Sequence, residues 1–565
     1  MVCLAARCLA GIALLAVSTT LFAARSSADE GAKSKTLAER IRNITESNAS
    51  DKGTSIGLST PTNPLYNQIL RSVALIDCKT DDGASWTGTG WVLDVQQRLL
   101  VTNHHVVEGV EECDVYFPEF INGQLVTDPA KSVVQARAIH ARVVDCDATC
   151  DLAIIQLDRL PKENPALELA DVSATPGQTI HSIAGNAVGT QSLWVYSTGH
   201  VRQIVRGMLA NDNEAMLLES DMATNQGNSG GPVVDDQGRV VAVVEGHMTE
   251  ARLVSIYVDL QSLATYLADG LRCVEPKTVE DLQFAAKRCL ASSRPEAAFK
   301  LANAALALNH ESAELYALRG QCWYEKDDSE SARGDFEEAL EIDDKCAAAH
   351  SGLGQLAFDD DEYEESIQHY TQALRNDPEN TDYLAQRGLA REWNGDLQDA
   401  RKDYVSALKI DSTFSPAIRG RAFVDIEFGK FQEGMTGLDS IISEYTDDAE
   451  TFYYAGRAMN GLGNFEDAAV VSRRAVELDQ EFAGAYQQLG HALVGLDQYE
   501  EGAQVLTTAI ELDSEDAMSH YLMGVIMAIQ EDVDGSREYL ETAFDLAEKD
   551  QELQDRVQAM LDKLP

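Results

Sequence analysis

The spacing of hydrophobic and polar positions divides the 565-residue chain into regions of different character. Between about residues 66 and 270, short apolar runs alternate with turn-forming Gly, Asn, Asp and Pro. Many short strands punctuated by turns are typical of an all-β sandwich or barrel. The pattern predicts strands at 72–77, 90–93, 99–102, 114–117, 141–144, 153–156, 179–183, 193–197, 216–219, 240–245 and 254–258.

From about residue 279 the pattern becomes helical and repeats every 34 residues. A marker residue, glycine in all units but one, recurs at this interval. Twelve residues after each marker the residue is always small, and sixteen residues after each marker a bulky residue is usual. Small residues at fixed places let two helices cross closely, and the bulky residue fills the space between them. The markers are Gly320, Gly354, Gly388, Ala422, Gly456, Gly490 and Gly524, and the first three bulky residues are Phe336, Tyr370 and Tyr404.

This 34-residue pattern resembles the tetratricopeptide repeat, abbreviated TPR. The resemblance covers roughly 279–549 and implies an all-α solenoid over 271–565, with a capping helix at 550–563. The unit at 415–448 departs most from the pattern. Such arrays present a concave face that commonly binds proteins, so we expect a protein partner there, although a passive spacer or oligomerisation surface is the alternative.

The N-terminus has the features of an export signal. A weakly basic start, an apolar stretch from Leu9 to Ala24 and small residues at 26–28 predict a signal peptide at 1–28. The stretch is shorter than a usual membrane span, so we favour cleavage and export to a periplasm or the exterior over an N-terminal anchor. Polar residues at 29–65 predict a flexible lead-in to a domain at 66–270.

The chain is strongly acidic, with a formal net charge of −48. Residues 271–565 contain 26 Lys and Arg against 61 Asp and Glu, so the helical half carries most of the excess. Such a surface repels phosphate backbones and anionic lipids, which argues against partners of either class. Two interpretations remain: a solvated face that maintains solubility, or a groove for basic peptides.

Eight cysteines lie beyond the predicted signal, and an even number in an exported chain permits disulfides. Their pairing is not deducible from the sequence, although Cys146 and Cys150 are close enough to form a small loop. A metal site is disfavoured because no second Cys or His pair has the spacing of a zinc site. Buried free thiols are the alternative.

The segment 227–232, Gly-Asn-Ser-Gly-Gly-Pro, carries the strongest chemical signal. A nucleophilic serine needs a base near its hydroxyl and backbone N–H groups directed at the developing oxyanion. The segment is similar to the active-site loop of trypsin-like serine proteases of the HtrA (Deg) type. That resemblance implies Ser229 as the nucleophile, with the N–H groups of Gly227 and Ser229 as the oxyanion hole.

Two upstream segments strengthen the resemblance, which spans about 68–262. Residues 100–107 look like the family's histidine segment and imply His105, not His104, as the general base. Residues 151–155 resemble its aspartate segment and imply that Asp151 orients His105. The family's fold is a double β-barrel, so the whole chain is expected to be a multidomain protein, an all-β trypsin-like domain followed by an all-α TPR solenoid.

The same serine segment also fits the Gly-x-Ser-x-Gly pattern of α/β-hydrolases. That fold requires a helix directly after the serine, then an acid and a histidine. Here residues 232–244 predict strand, turn and strand, and His247 follows Ser229 too closely. The order of His105, Asp151 and Ser229 favours the trypsin-like arrangement.

The sequence therefore predicts an exported serine endopeptidase that acts on protein or peptide substrates without a cofactor. The uncharged Ala223, at the place that lines the pocket base in trypsin-like relatives, predicts small aliphatic residues before the cleaved bond, although Glu245 lies nearby. No PDZ-like domain is recognised after the peptidase region, and the TPR array stands in its place. The alternative function is a TPR scaffold whose peptidase domain is idle or only processes itself.

Overall fold

The computed structural model describes residues 63–80, 83–121, 124–125, 138–187, 192–209, 214–224, 227–247, 254–442, 445–548 and 550–565. The predicted signal peptide and nearly all of the predicted lead-in lie outside these ranges. Residues 20–344 and residues 345–565 belong to separate compact units.

Two closed six-stranded β-barrels form the first part of the 20–344 unit. The strands of the first barrel pair in the order β1-β2-β3-β8-β7-β4 and those of the second in the order β10-β11-β14-β13-β12-β9. The first barrel contains β1 Val73–Lys79, β2 Ser85–Asp94, β3 Leu99–Thr102, β4 Glu112–Tyr116, β7 Ile139–Asp147 and β8 Leu152–Leu157. The second contains β9 Thr179–Ala187, β10 Ser192–Met208, β11 Glu214–Ser220, β12 Pro232–Val234, β13 Val240–His247 and β14 Ser255–Asp259, and the short β5 Phe120–Ile121 pairs with β6 Gln124–Leu125.

Buried aliphatic side chains hold the two barrels together. Strand β8 is buried at every position, as expected for a strand with apolar neighbours on both faces. One continuous core links side chains of the first barrel, such as Val101 and Ile154, with side chains of the second, such as Ile183 and Val243. Three helices accompany the barrels: α1 Pro64–Ser72, α2 His104–Val107 and α3 Leu260–Gly270.

Helical pairs follow the barrels. In the 20–344 unit these are α4 Val279–Ala291, α5 Pro295–Leu308, α6 Ala313–Tyr324 and α7 Ser329–Ile342. The 345–565 unit contains α8 Ala347–Asp359, α9 Tyr363–Asn376, α10 Thr381–Trp393, α11 Leu397–Ile410, α12 Ser415–Glu427, α13 Phe431–Asp439, α14 Ala449–Gly461, α15 Phe465–Leu478, α16 Ala483–Gly495, α17 Tyr499–Leu512, α18 Ala517–Ile529, α19 Val533–Leu546 and α20 Gln551–Leu561.

The repeat markers pack as the sequence predicts. A Cβ atom added at Gly388 would lie 2.8 Å from the Tyr404 ring, and one at Gly320 would lie 2.7 Å from the Phe336 ring. The helices of each pair therefore approach at the glycine, and the ring sixteen residues later fills the gap. The divergent unit is also the one with a shortened second helix, since α13 has 9 residues where α11 has 14.

No helix in the described part of the chain combines the length and the hydrophobicity that a membrane span requires. The eight cysteines within this part are free thiols, Cys146 and Cys150 included. Nor does this part contain a cluster of three or more His, Cys, Asp or Glu side chains arranged to hold a metal ion.

Candidate active site

The predicted base and the predicted orienting acid are in direct contact. His105 lies in the short helix α2, and Asp151 lies in the turn between β7 and β8. The main-chain N–H of His105 donates to Asp151 Oδ1 at 2.9 Å, and ring atom Nδ1 lies 2.7 Å from Asp151 Oδ2. A carboxylate only accepts, so Nδ1 carries the proton and Nε2 presents its lone pair. This is the tautomer that a general base requires.

The turn that presents Asp151 is held in an uncommon conformation. Asp151 has φ of 51°, in the left-handed region that non-glycine residues seldom adopt. Its carbonyl accepts a hydrogen bond of 2.7 Å from Asn103 Nδ2, and both residues are buried. Asn103 immediately precedes the helix that carries His105, so one amide ties the two segments together.

Carboxylates surround the His105 imidazole. Desolvation by the surrounding protein is the largest single effect on the pKa of His105 and lowers it, although 42% of the side chain remains exposed. The charges of Asp151, Glu245 and Glu108, with the hydrogen bond to Asp151, outweigh that effect and raise the pKa of His105. His104 differs, because burial lowers its pKa and its nearest ion-pair contact is Glu108 at 4.0 Å.

Ser229 lies in a turn that glycine makes possible. Gly227 and Gly230 have φ of 93° and 82°, values that strain other residues. A Cβ atom at Gly230 would lie 2.2 Å from the carbonyl oxygen of Thr89 and 2.3 Å from Thr102 Oγ1. The serine turn therefore packs directly against strands β2 and β3 of the first barrel.

Thr89 anchors this turn from the first barrel. Its N–H donates to the carbonyl of Ser229 at 2.8 Å, and its hydroxyl donates to the carbonyl of Gly227 at 2.7 Å. Among the described residues, the N–H groups of Gly227 and Ser229 donate to no protein acceptor. These two backbone donors, on either side of Asn228, are the groups that the sequence predicts as the oxyanion hole.

The Ser229 hydroxyl donates to the carbonyl of Glu245 at 3.1 Å. No hydrogen bond to His105 is found within the described residues. Glu245 relates the two parts of the predicted site, because its carbonyl accepts the Ser229 hydrogen bond and its carboxylate raises the pKa of His105. The sequence identified the three segments, but it did not single out Asn103 or assign an anchoring role to Thr89, whose importance depends on contacts between distant segments.

Comparisons with known proteins agree with this architecture. Residues 88–243 match the profile of the trypsin-like peptidase domain, and residues 327–381, 351–416 and 488–550 match the tetratricopeptide repeat. The periplasmic serine endoprotease DegP of Salmonella typhimurium is 28% identical over 156 residues, which are 28% of this chain and 29% of that protein.

Other relatives match a similar portion. The serine protease Do-like HtrA of Bacillus subtilis is 25% identical over 172 residues, 29% of this chain and 34% of that protein. The Rv3671c protease of M. tuberculosis in its active form is a structural match at 23% identity, with a TM-score of 0.31, covering 39% of this chain and 91% of that one. The chain spans about a third or less of the two curated relatives' length. It joins a trypsin-like peptidase domain, with relatives among the HtrA proteases, to an array of tetratricopeptide repeats.

Proposed function

We propose that this protein is an exported serine endopeptidase in which Ser229, His105 and Asp151 carry out peptide-bond hydrolysis. The observation that carries the proposal is the double contact between His105 and Asp151, which in the neutral imidazole places the proton on Nδ1 and leaves the lone pair on Nε2. The glycine-rich turn around Ser229, in which Gly227 and Gly230 have positive φ, supports the same reaction class.

The reaction proceeds through an acyl-enzyme. Ser229 Oγ attacks the carbonyl carbon of the substrate while its proton passes to His105 Nε2. The N–H groups of Gly227 and Ser229 hold the oxyanion, and the imidazolium, stabilised by Asp151, gives the proton to the leaving amine. Water then attacks the acyl group with His105 as base, which releases the acid product and restores Ser229. Neither half of the reaction requires a cofactor.

Attack requires a change at Ser229. Its hydroxyl is engaged by the Glu245 carbonyl, so the side chain must turn from that acceptor toward His105 Nε2. Rotation about the Cα–Cβ bond of this half-buried serine is the smallest movement that releases the hydroxyl from the Glu245 carbonyl. The same observation favours the second candidate function, a binding scaffold with an idle or self-processing peptidase domain.

Specificity for small aliphatic residues before the cleaved bond remains a hypothesis. Ala223 is uncharged and exposed, next to the buried Met222. Glu245, buried within strand β13, is the nearby charge that opposes this interpretation. The test compares cleavage of peptides that differ only in the residue before the cleaved bond, which is Ala, Val, Leu or Arg. Faster cleavage after Arg than after the aliphatic residues would contradict the hypothesis.

The repeats are proposed to recruit protein substrates or partners. A cavity of about 310 Å³ in the 345–565 unit supports this role. Its walls come from α10, α12 and α14, the first helices of three consecutive repeats, with further contributions from α11 and the α13–α14 connection. Aromatic and charged side chains line it together, a combination suited to the anchoring side chain of a protein ligand. The lining includes Trp393, Phe423, Tyr445, Tyr454, Glu392 and Arg419.

Degradation of an unfolded protein tests the proposed activity. Full-length protein should cleave reduced, alkylated casein into peptides, and the Ser229→Ala variant should not. A Ser312→Ala variant, altered far along the chain from the proposed triad, serves as the matched control and should retain full activity. Equal cleavage by the wild type and Ser229→Ala would refute the assignment, whereas absence of cleavage by the wild type would favour the scaffold.

A further inference from the structure

The first helical hairpin after the barrels contacts the strand that leads to Asp151. Arg288, near the end of α4, donates from Nε to Asp145 Oδ1 at 2.6 Å and from Nη2 to Asp145 Oδ2 at 2.8 Å. The same Nη2 atom lies 3.3 Å from Asp147 Oδ2. Both aspartates belong to strand β7 of the first barrel, so a side chain from the helical region binds the peptidase domain bidentately.

Two further residues of the hairpin extend this contact along the strand. Ser292 Oγ donates to the carbonyl of Cys146 at 2.6 Å. Arg294 Nη2 donates to the carbonyl of Val143 at 2.7 Å and to Glu111 Oε2 at 2.7 Å. The segment 143–147 is therefore held through both its backbone and its side chains by residues 288–294.

The charged groups of this contact are largely buried. The Asp145 side chain is 2% exposed and that of Arg288 is 18% exposed, so each charge depends on the other for compensation. Tyr266 at the same junction donates its hydroxyl to the Asp145 carbonyl at 3.1 Å. A Cβ atom at Gly270 would lie 2.9 Å from Asp145 Oδ2, so the end of α3 closes over the carboxylate.

Hydrogen bonds of Asp147 link Arg288 to the turn that carries Asp151. While Asp147 Oδ2 faces Arg288, Asp147 Oδ1 accepts hydrogen bonds from the N–H and the hydroxyl of Thr149 at 2.9 and 2.5 Å. Those bonds shape the turn 147–151, at whose end Asp151 adopts its positive φ. Displacement of Asp147 would alter this turn and with it the position of the Asp151 carboxylate.

We propose that Arg288 is a positioning residue for the peptidase: through Asp145 and Asp147 it holds the turn that presents Asp151 to His105. The proposal rests on the proposed peptidase function. Under this proposal, the first helical hairpin supports the geometry of the proposed active site, in addition to beginning the repeat array.

The test uses full-length protein with Arg288→Met, Arg288→Lys and the milder Ser292→Ala. Arg319→Met is the matched control, because Arg319 forms an equivalent bidentate pair with Asp335, which joins α6 to α7 and not to strand β7, with both distances 2.7 Å. The kcat and KM for a short peptide are measured across pH, beside thermal unfolding of each variant.

Arg288→Met should lower kcat at least about tenfold, the effect of roughly 1.4 kcal/mol on the barrier, with little change in KM. It should also move the acid limb of the kcat/KM profile to lower pH, because a displaced Asp151 raises the pKa of His105 less, while Glu245, Glu108 and His104 are unaltered. Arg288→Lys should restore part of kcat, and Ser292→Ala should produce a smaller shift in the same direction.

An unchanged pH profile in Arg288→Met, with kcat no lower than in Arg319→Met, would overturn the proposal. If Arg288→Met does not fold, Arg288→Lys and Ser292→Ala decide by the same criterion. Failure of the proposed function is separate, because there the wild type itself would show no Ser229-dependent turnover.

Discussion

The carboxylate of Asp151 accepts two hydrogen bonds from His105, one from the main-chain N–H at 2.9 Å and one from ring atom Nδ1 at 2.7 Å. This arrangement fixes both the orientation and the tautomer of the ring. Because Asp151 occupies a strained backbone conformation, the contact depends on the surrounding turn and on Asn103. The chemistry proposed for the site follows from this pair more than from any other feature.

Activity should fall at acidic pH, with a midpoint above the ordinary imidazole value of about 6.5. The pKa of His105 is raised, so the ring becomes protonated and unable to act as a base at a higher pH than usual. The same group stabilises the fold at low pH and loses that contribution as pH rises through its raised pKa. Glu245→Gln removes one of the responsible charges and should move the midpoint of kcat/KM to lower pH. A midpoint unchanged by this substitution would contradict the electrostatic account.

Gly230→Ala should disrupt the serine turn. The new Cβ would meet the Thr89 carbonyl at 2.2 Å, in addition to the cost of about 1–2 kcal/mol for an L-residue at positive φ. Gly109→Ala is the matched control, since Gly109 also has positive φ but has open space around its Cβ position. Thermal unfolding should show a modest loss for Gly109→Ala and a much larger one for Gly230→Ala. Equal losses would mean that steric contact with Thr89 is unimportant.

Truncation should distinguish the two helical regions. A chain ending at Asp344 keeps α4 to α7 and the whole of one compact unit, so it should retain cleavage of a short peptide. A chain ending at Lys277 loses Arg288 and Arg294 and exposes the buried Cys146, so its unfolding temperature and its activity should both fall. Equal activity of the two truncated chains would show that the first hairpin is dispensable.

Glu392 should make the 345–565 unit less stable at alkaline pH. Burial and the charges of Glu450 and Glu427 raise its pKa to about 8, and its carboxyl group accepts a hydrogen bond from Tyr404 at 2.9 Å. When folding raises the pKa of a carboxyl group, the free energy of unfolding decreases as the pH rises from the group's pKa in the unfolded chain toward its folded-state pKa, here about 8. Glu392→Gln should therefore raise the unfolding temperature at pH 9 and change it little at pH 5. An equal effect at both values would exclude this titration as the cause.

The sequence predicted those parts of the fold whose signals are local. Strand β3 was predicted at its observed residues, and the glycine-to-ring contacts of the repeats follow from their 34-residue phase. Helix α1 was not predicted, because its nine residues are too few to show a clear helical period, and its last residue, Ser72, was assigned to the first predicted strand. Strand β10 extends to Met208, well beyond its predicted end, because its polar second half pairs with β11.

The site was predictable as three segments but not as a geometry. Short motifs identified Ser229, His105 and Asp151, whose roles remain predictions. The contact between Arg288 and Asp145 joins positions 143 residues apart, and nothing in either local sequence indicates the other. The positive φ of Asp151 likewise depends on tertiary contacts, which a residue pattern does not encode.

Labelling with a fluorophosphonate probe tests the central claim most directly. The probe reacts with a serine only when an assembled base and oxyanion hole activate it. We expect full-length wild-type protein to be labelled, peptide mapping by mass spectrometry to place the adduct on Ser229, and Ser229→Ala to remain unlabelled. An adduct on another residue, or no adduct on correctly folded wild-type protein, would contradict the account of Ser229, His105 and Asp151 as an active triad.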